Sequence, residues 1–198
     1  MPAHSTHPDA FPDAYLRSLK RRILASPCFT TNTLNRDFVR TRGFSLVFRA
    51  ESRARVEREF PFFGPYLARA LRSDCNAFYL NPLQLERGSR VDPHIDRSLR
   101  SYCKEVPVPV TVSVLYVDVP DDLSGGALVL ARGKRHLARL RPVTNTLVFF
   151  EGDLTHSIEP VESDGTRLSL VCEQYALEED ELERVPSFAI ETRARTYR

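Results

Sequence analysis

From about residue 76 onward, the sequence is a succession of short apolar segments separated by turn residues. The separators include Gly125-Gly126, Gly133-Lys134, Pro142 and Gly152-Asp153, which are typical of turns between strands. Six segments have the length and composition of β-strands: 77–85, 108–117, 127–131, 136–140, 146–150 and 168–175. Many short consecutive strands favour an antiparallel, two-sheet jelly roll. We therefore predict a mainly β core over residues 76–176.

The N-terminal third of the chain has helical character instead. Leu16, Leu19, Ile23 and Leu24 follow a helical period within residues 12–26, which predicts an amphipathic helix. Three further elements are predicted before residue 76: a strand at 44–48, a charged helix or loop at 50–59 and a helix at 65–71. The first ten residues are polar and contain prolines, and we expect them to be disordered. The predicted class is α+β, mainly β with flanking helices.

The length of 198 residues suits one domain better than two. We expect residues 11–198 to form that domain. It would comprise an N-terminal helical buttress (about 11–75), the β core (about 76–176) and a C-terminal cap (177–198). The cap contains an acidic, helix-prone segment at 178–183.

The composition argues against two classes of partner. Lys and Arg number 28 against 26 acidic residues, a net charge of +2, which disfavours a nucleic-acid partner. No apolar run approaches the ~20 residues that cross a bilayer, so no membrane partner is expected. The N-terminus lacks the pattern of a secretory signal. The four cysteines are scattered without a C-x-x-C spacing, which predicts reduced thiols and a cytoplasmic location.

Two histidines and one aspartate in the β region have the spacing of a metal site. His94 and Asp96 flank a single residue, and in an extended segment residues i and i+2 point to the same side, about 7 Å apart at Cα. His156 follows a predicted strand and a Gly-Asp turn. Two histidines and a carboxylate that leave coordination positions open are typical of non-haem Fe(II) oxygenases. Two alternatives stay open here: His94 and Asp96 as a surface hydrogen-bonded pair, and His136 as the second histidine ligand.

The order of these residues resembles the Fe(II)/2-oxoglutarate-dependent dioxygenase superfamily, in its prolyl-hydroxylase-like branch. The resemblance covers about residues 76–175 and includes Arg167-Leu168-Ser169, which begins eleven residues after His156. It implies a cupin-like double-stranded β-helix barrel, buttressed by the N-terminal helices. It also implies that His94, Asp96 and His156 bind Fe(II) as the catalytic centre. Arg167 and Ser169 would bind 2-oxoglutarate, since an arginine fork suits a carboxylate. O2 is the second co-substrate that the resemblance implies, with ascorbate supporting activity.

Further contacts are predicted around this centre. Gln84 lies ten residues before His94, where several relatives carry a polar or tyrosine contact to 2-oxoglutarate, and Tyr79 and Tyr116 are further candidates for that role. Arg97 and Tyr102 follow the first two ligands, where a loop would overhang the metal. They are candidates for recognising a carboxylate-bearing substrate. The alternative for that loop is a solvated basic surface.

The resemblance implies hydroxylation of a C–H bond with release of succinate and CO2. Related halogenases replace the carboxylate ligand by Gly or Ala, and because Asp96 is present here, halogenation is not expected. The compact chain favours a small-molecule substrate such as an amino acid or a natural-product intermediate. Two alternatives are a prolyl-hydroxylase-like enzyme acting on a peptide or protein side chain, and a catalytically silent jelly-roll module that binds or senses a ligand.

Overall fold

Twelve strands form one curled sheet in the computed structural model, which describes residues 3–32 and 37–193. In chain order the strands are β1 (His4–His7), β2 (Thr30–Asn32), β3 (Phe38–Gly43), β4 (Ser45–Arg49), β5 (Ala77–His94), β6 (Thr111–Asp118), β7 (Leu128–Arg132), β8 (Arg135–Leu140), β9 (Thr146–Glu151), β10 (Thr155–Ile158), β11 (Arg167–Tyr175) and β12 (Phe188–Glu191). The α-helices of the described chain are α1 (Asp13–Leu24), α2 (Arg53–Glu59), α3 (Gly64–Ala70) and α4 (Glu179–Arg184). Short 3-10 turns occupy Ala50–Ser52, Pro61–Phe63 and Ser98–Ser101.

Strand β5 organises the sheet because its 18 residues contact several neighbours. Its first half pairs antiparallel with β11 on one side and with β4 on the other, and β3 pairs with its middle, from Leu83 to Val91. Its second half reaches β10, where His94 lies opposite His156. The main path is β1-β9-β6-β11-β5-β10-β7-β8, so β5 links the two halves of the curled sheet. This arrangement confirms the predicted mainly β, jelly-roll-like fold with flanking helices.

The N-terminal helices cover the outer face of the sheet. Helix α1 buries Leu16, Leu19 and Ile23, three of the four positions that the sequence periodicity selects, and leaves the fourth, Leu24, 38% exposed. Their side chains share one apolar core with residues of α3 and of the sheet, among them Tyr66, Leu67, Phe44, Phe48, Leu80, Leu115 and Leu170. Burying one Leu or Phe side chain contributes about 1.5–3 kcal/mol, so this layer holds the outer face firmly. The inner face of the sheet is left for function.

Strand β11 shows how the sheet separates the core from the site. Side chains alternate between the two faces of a strand. One set lies in the helix-side core: Leu168, Leu170 and Cys172. The other set lines a cavity on the inner face: Arg167, Ser169, Val171 and Glu173. Three of these four inner residues are buried polar groups, which apolar cores rarely contain, so this face is a candidate site.

The N-terminal segment differs from the sequence prediction. Residues 4–7 fall in the stretch expected to be disordered, but they form β1 and pair with β9. Asn145 anchors the segment that follows, because its side chain accepts a hydrogen bond from the Phe11 amide (2.9 Å) and donates one to the Phe11 carbonyl (2.7 Å). The prediction of disorder is corrected for a physical reason. Pairing at a sheet edge needs only backbone groups, which a polar sequence supplies as well as an apolar one.

Other strand boundaries also differ. The strand predicted to end at residue 85 continues to His94, through Gly88, whose φ of +81° favours glycine. Strand β6 begins at Thr111 instead of residue 108, because Pro107 and Pro109 lack the amide that a ladder needs. The short strands β2, β3, β10 and β12 were not expected from the sequence. Within the described residues, no helix combines the length and apolar character needed to cross a bilayer.

Candidate metal centre

Strand pairing brings the two histidines of the predicted triad face to face. His94 is the last residue of β5, and it lies opposite His156, the second residue of β10, in antiparallel register. Their ring centroids are 4.4 Å apart. The turn before β10 requires glycine, since a Cβ on Gly152 would lie 2.0 Å from the Pro109 carbonyl oxygen. The turn at Gly152 therefore packs closely against Pro109, and β10 begins shortly after this turn, at Thr155.

Asp96 lies between the two imidazoles, two residues beyond the end of β5. Its Oδ1 is 3.2 Å from His94 Nε2, and its Oδ2 is 3.3 Å from His156 Nε2. One ligand atom from each residue lies within 4.8 Å of the other two, close enough for all three to share a metal ion. The side chains of His94, Asp96 and His156 are only 11%, 8% and 9% exposed. The three predicted ligands therefore converge on one buried point.

Backbone carbonyl groups orient both imidazoles. His94 Nδ1 lies 2.8 Å from the Asp92 carbonyl oxygen, and His156 Nδ1 lies 3.2 Å from the Leu154 carbonyl oxygen. A carbonyl oxygen only accepts hydrogen bonds, so each Nδ1 carries a proton and donates it. Each Nε2 is thereby directed toward Asp96 and is the nitrogen that would bind a metal. This arrangement is the usual way in which a protein holds a metal-binding histidine in one orientation.

The charges of the three residues depend on one another. Burial lowers the pKa of His94, but the hydrogen bond and charge of Asp96 outweigh this and raise the pKa to about 9. Burial alone would raise the pKa of Asp96, whereas the charge and hydrogen bond of His156, together with those of His94, hold it well below its usual range. The Asp96 carboxylate is therefore ionised, and a metal cation can replace the imidazole protons that lie beside it. Such a set of donor atoms is suited to a divalent metal.

A buried arginine on β11 extends the site. Arg167 is 1% exposed, and its Nε and Nη1 have no hydrogen-bond partner. Across residues 3–32 and 37–193, no carboxylate lies within ion-pair distance of its guanidinium. The hydroxyls of Ser169 and Tyr116 are also buried without a partner. Since buried donors normally have acceptors, these three side chains form a donor set that fits a carboxylate ligand.

Tyr116 supports this donor set in two ways. The Arg167 guanidinium carbon lies 5.4 Å from the centroid of the Tyr116 ring, within the range of a cation–π contact. Burial raises the pKa of the Tyr116 hydroxyl, against the lowering effect of the Arg167 charge, so the hydroxyl keeps its proton and can donate it. The structure thus places the two sequence candidates Tyr116 and Ser169 in the same cavity as Arg167.

The three candidate metal ligands and Arg167 line one cavity, which holds about 760 Å³ of empty space including its open mouth. Most of the remaining wall is apolar: Phe38, Leu83, Val91, Val112, Val114, Leu128, Phe150, Ile158 and Val171. An apolar wall with a few convergent polar groups is typical of sites for small ligands.

Three predicted contacts lie away from this cavity. Gln84 follows Leu83 on β5, and because Leu83 faces the cavity, the alternation of the strand turns Gln84 to the other face. Arg97 is exposed and does not line the cavity. The Tyr102 hydroxyl donates a 2.7 Å hydrogen bond to a glutamate of β12, and the ring packs on a second apolar core. The structure does not bring these three side chains into the cavity, because distance along the sequence does not specify the face of a strand or the path of a loop.

The competing histidine also lies elsewhere. His136 is exposed on β8, and it belongs to no group of metal-binding side chains in the described part of the chain.

Sequence reasoning missed Glu173 and Ser98, which both line the cavity. Glu173 is 4% exposed on β11 and accepts hydrogen bonds from the Ser98 hydroxyl (2.5 Å), the Ser98 amide (3.1 Å) and the Tyr175 hydroxyl. The alternation that places Arg167 and Ser169 on one face extends to Glu173, so this residue was open to prediction once β11 was assigned. Ser98 had no comparable signal, because its position depends on the path of a loop.

Residues 79–172 match the profile of the 2OG-Fe(II) oxygenase superfamily. This range contains Arg167 and the three converging residues that could hold a metal ion. The matched region belongs to this superfamily. Oxygenases of the superfamily use Fe(II), 2-oxoglutarate and O2. Here the His94–Asp96–His156 set fits the iron, and the unpaired donors around Arg167 fit a carboxylate of 2-oxoglutarate.

Solved structures share the fold of this oxygenase. A prolyl-4-hydroxylase from Pseudomonas putida superposes with a TM-score of 0.61 at 17% identity, covering 90% of this chain and 95% of that one. A Trichoplax adhaerens prolyl hydroxylase, in complex with a peptide fragment of the hypoxia inducible factor oxygen degradation domain, gives 0.58 at 12% identity, covering 93% and 86%. HygX from Streptomyces hygroscopicus, with nickel, 2-oxoglutarate and hygromycin B bound, gives 0.54 at 12% identity, covering 89% and 84%. No curated protein matches the sequence significantly.

Proposed function

We propose that this oxygenase hydroxylates a C–H bond of a small organic molecule while 2-oxoglutarate is converted to succinate and CO2. The observation that carries the proposal is the enclosure of the site. The three metal-binding side chains are about a tenth exposed, and most of the cavity wall is apolar. Such a pocket favours a substrate that enters whole. A peptide substrate instead needs an open groove or a sheet edge along which its backbone can lie.

Six polar residues of the cavity have a role in this proposal. His94, Asp96 and His156 would hold Fe(II), which supplies the activation of O2 that C–H hydroxylation requires. Arg167 would bind the far carboxylate of 2-oxoglutarate through its planar fork. Ser169 and Tyr116 would donate hydrogen bonds to the same carboxylate. The apolar wall would exclude water, which limits side reactions at the metal.

Hydroxylation of a peptide or protein side chain is the second candidate function. The shared fold with two prolyl hydroxylases, one solved with a peptide fragment, supports it. So does Ile95, which is 42% exposed between two metal-binding residues and would offer a peptide an apolar contact at the rim. HygX was solved with hygromycin B bound, so likeness of fold does not separate the two candidates.

Succinate formation tests the proposal. Purified protein with Fe(II), ascorbate and 2-oxoglutarate should form succinate slowly without substrate, and faster with one member of a pool of amino acids and other small metabolites. The His156→Ala variant should form none. Stimulation by a pool of proline-containing peptides alone would support the second candidate and contradict the small-molecule proposal. A wild-type protein that never converts 2-oxoglutarate would contradict both.

We also infer a cytoplasmic location. All four cysteines are buried, and Cys75, Cys103 and Cys172 are free thiols. Free thiols are usual in a reducing compartment and uncommon in small secreted domains. Localisation of a tagged full-length chain in its native cell would test this inference.

A further inference from the structure

The cavity has a second polar region, around Glu173, that the proposed co-substrate does not use. Arg167 and Glu173 lie on the same face of β11, six residues apart, so their Cα atoms are separated by about 20 Å along the strand. In the neighbouring strands Glu173 lies opposite Tyr79 and Val112, which also line the cavity. If 2-oxoglutarate extends from the metal toward Arg167, the Glu173 end is the part left for the substrate.

Glu173 lies close to the metal centre. Its carboxylate accepts hydrogen bonds from the hydroxyl and the amide of Ser98, which is only two residues from Asp96. The Tyr175 hydroxyl is its third donor. Of the three hydrogen bonds, Oε2 accepts two and Oε1 accepts one, so Oε1 can accept another. A substrate group that binds this oxygen would therefore lie near the metal and its reacting C–H bond.

No cation in the described chain compensates the charge of Glu173. All three of its donors are neutral, and no Lys, Arg or His of the described residues lies within ion-pair distance of its carboxylate. Burial, and then the negative charge of Asp96, raise the pKa of Glu173 to about 8, although the hydrogen bonds oppose this. An isolated buried carboxylate is unfavourable unless a cation pairs with it.

The sum of the charges in the site, with Fe(II) and 2-oxoglutarate bound, also points to Glu173. Fe(II) carries +2, Asp96 −1, 2-oxoglutarate −2 and Arg167 +1, so these four charges cancel with both histidines neutral. In its ionised form, which a nearby cation favours, the Glu173 carboxylate is then the one uncompensated charge on the cavity wall formed by the described residues. Arg97, which suggested a carboxylate-bearing substrate at the sequence level, does not line the cavity.

We propose that Glu173 selects a substrate bearing a protonated amine, which binds the carboxylate at Oε1. The inference rests on the proposed function, because it concerns the substrate of the same site. An ammonium group supplies the positive charge that the protein does not provide, and it forms a charge-assisted hydrogen bond. The apolar wall contacts the carbon chain of the substrate, so the fixed amine determines which carbon faces the metal.

Three variants test whether Glu173 binds the substrate amine or only holds the loop that carries Asp96 and Ser98 in place. Glu173→Gln keeps the size of the side chain and an oxygen acceptor for Ser98, but removes the negative charge. Ser98→Ala removes the hydroxyl contact and keeps the carboxylate. Glu105→Gln makes the same chemical change as the first variant at an exposed position paired with Arg184, and serves as the matched control.

Binding is measured by anaerobic calorimetry on enzyme loaded with Fe(II) and 2-oxoglutarate. The probes are linear primary amines and amino acids, each paired with the compound in which a hydroxyl replaces the amine. In the wild type, at least one amine should bind 10-fold or more tightly than its hydroxyl partner. Ser98→Ala and Glu105→Gln should keep that ratio, and Glu173→Gln should bring it close to one. The favoured amine should also raise wild-type succinate formation above the substrate-free rate.

Several results would overturn the inference. Equal wild-type binding of the amines and their hydroxyl partners would do so, and so would a ratio unchanged in Glu173→Gln. A ratio lost equally in Ser98→Ala and Glu173→Gln would show that Glu173 acts only through the loop. If Glu173→Gln does not fold, Glu173→Asp, which keeps the charge, must retain the wild-type preference. Substrate-free succinate formation with no amine preference would remove this inference alone, whereas no succinate under any condition would remove the proposed function as well.

Discussion

Replacing Arg167 by leucine should stabilise the protein without 2-oxoglutarate and abolish binding of the co-substrate. Arg167 is 1% exposed, and its Nε and Nη1 lack acceptors. Each unsatisfied buried donor costs about 1–3 kcal/mol, so the two together cost about 2–6 kcal/mol. Leucine removes that cost and loses the contact with the Tyr116 ring, worth roughly 1 kcal/mol. The net change is a gain of about 1–5 kcal/mol in the free energy of unfolding.

Thermal unfolding measures both effects in one experiment. For a domain of this size, 1 kcal/mol corresponds to about 2–4 °C, so Arg167→Leu should raise the apo Tm by at least about 2 °C. The wild type loaded with a divalent metal should gain about 2.7 kcal/mol from 2-oxoglutarate at 100 times its Kd, or about 5–10 °C. The variant should gain nothing. Arg184→Leu, at an exposed arginine paired with Glu105, should leave both values as in the wild type.

Two results would refute this reasoning. Truncating a core side chain typically lowers the free energy of unfolding by about 2–5 kcal/mol. If Arg167→Leu had the same effect, the guanidinium would have hydrogen-bond partners in the protein without 2-oxoglutarate. If 2-oxoglutarate still raised the Tm of the variant as in the wild type, its carboxylate would bind elsewhere.

Three further predictions concern the metal, the pH response and the N-terminal segment. His156→Ala should lose the single equivalent of Fe(II) bound in an anaerobic titration, while His136→Ala should bind as the wild type does; the reverse pattern would assign the ligand to the other histidine. In the folded metal-free protein, the pKa of His94 is raised to about 9 and the pKa of Glu173 to about 8. The folded protein therefore holds both protons more tightly than the unfolded chain does. The resulting stabilisation is lost as pH rises, so the Tm in EDTA should fall between pH 6.5 and 9, and bound metal should reverse the trend by replacing the His94 proton; a Tm in EDTA that rises with pH would contradict the assigned shifts. Asn145→Ala should lower the free energy of unfolding by about 2–3 kcal/mol in urea, because it removes both hydrogen bonds to Phe11 and leaves alanine at a φ of +65°; a loss under about 0.5 kcal/mol would show that this anchor is unimportant.

Local periodicity accounts for the parts of the fold that the sequence predicts well. Leu16, Leu19 and Ile23 share one helical face, and that face is the buried one. His94 and Asp96 could be placed together because residues i and i+2 of an extended segment point the same way. Their convergence with His156 was inferred from the family resemblance, and the structure attributes it to the pairing of β5 with β10.

The parts that the sequence did not predict depend on long-range register and loop paths. Gln84 and Leu83 are neighbours, and only the pairing of β5 shows which of them faces the cavity. Tyr102 follows a 3-10 turn that buries Leu99, and this turns the tyrosine toward β12 instead of the metal. β1 forms because the edge of β9 is available, a fact that no local pattern in residues 4–7 records.

A crystal structure of the protein loaded anaerobically with Fe(II) and 2-oxoglutarate, with iron located by anomalous scattering, tests the central claim most directly. We predict one iron peak within about 2.2 Å of His94 Nε2, an Asp96 carboxylate oxygen and His156 Nε2, with a 2-oxoglutarate carboxylate on Arg167. Iron bound at any other group of side chains, or a 2-oxoglutarate that leaves the Arg167 guanidinium unpaired, would contradict the account.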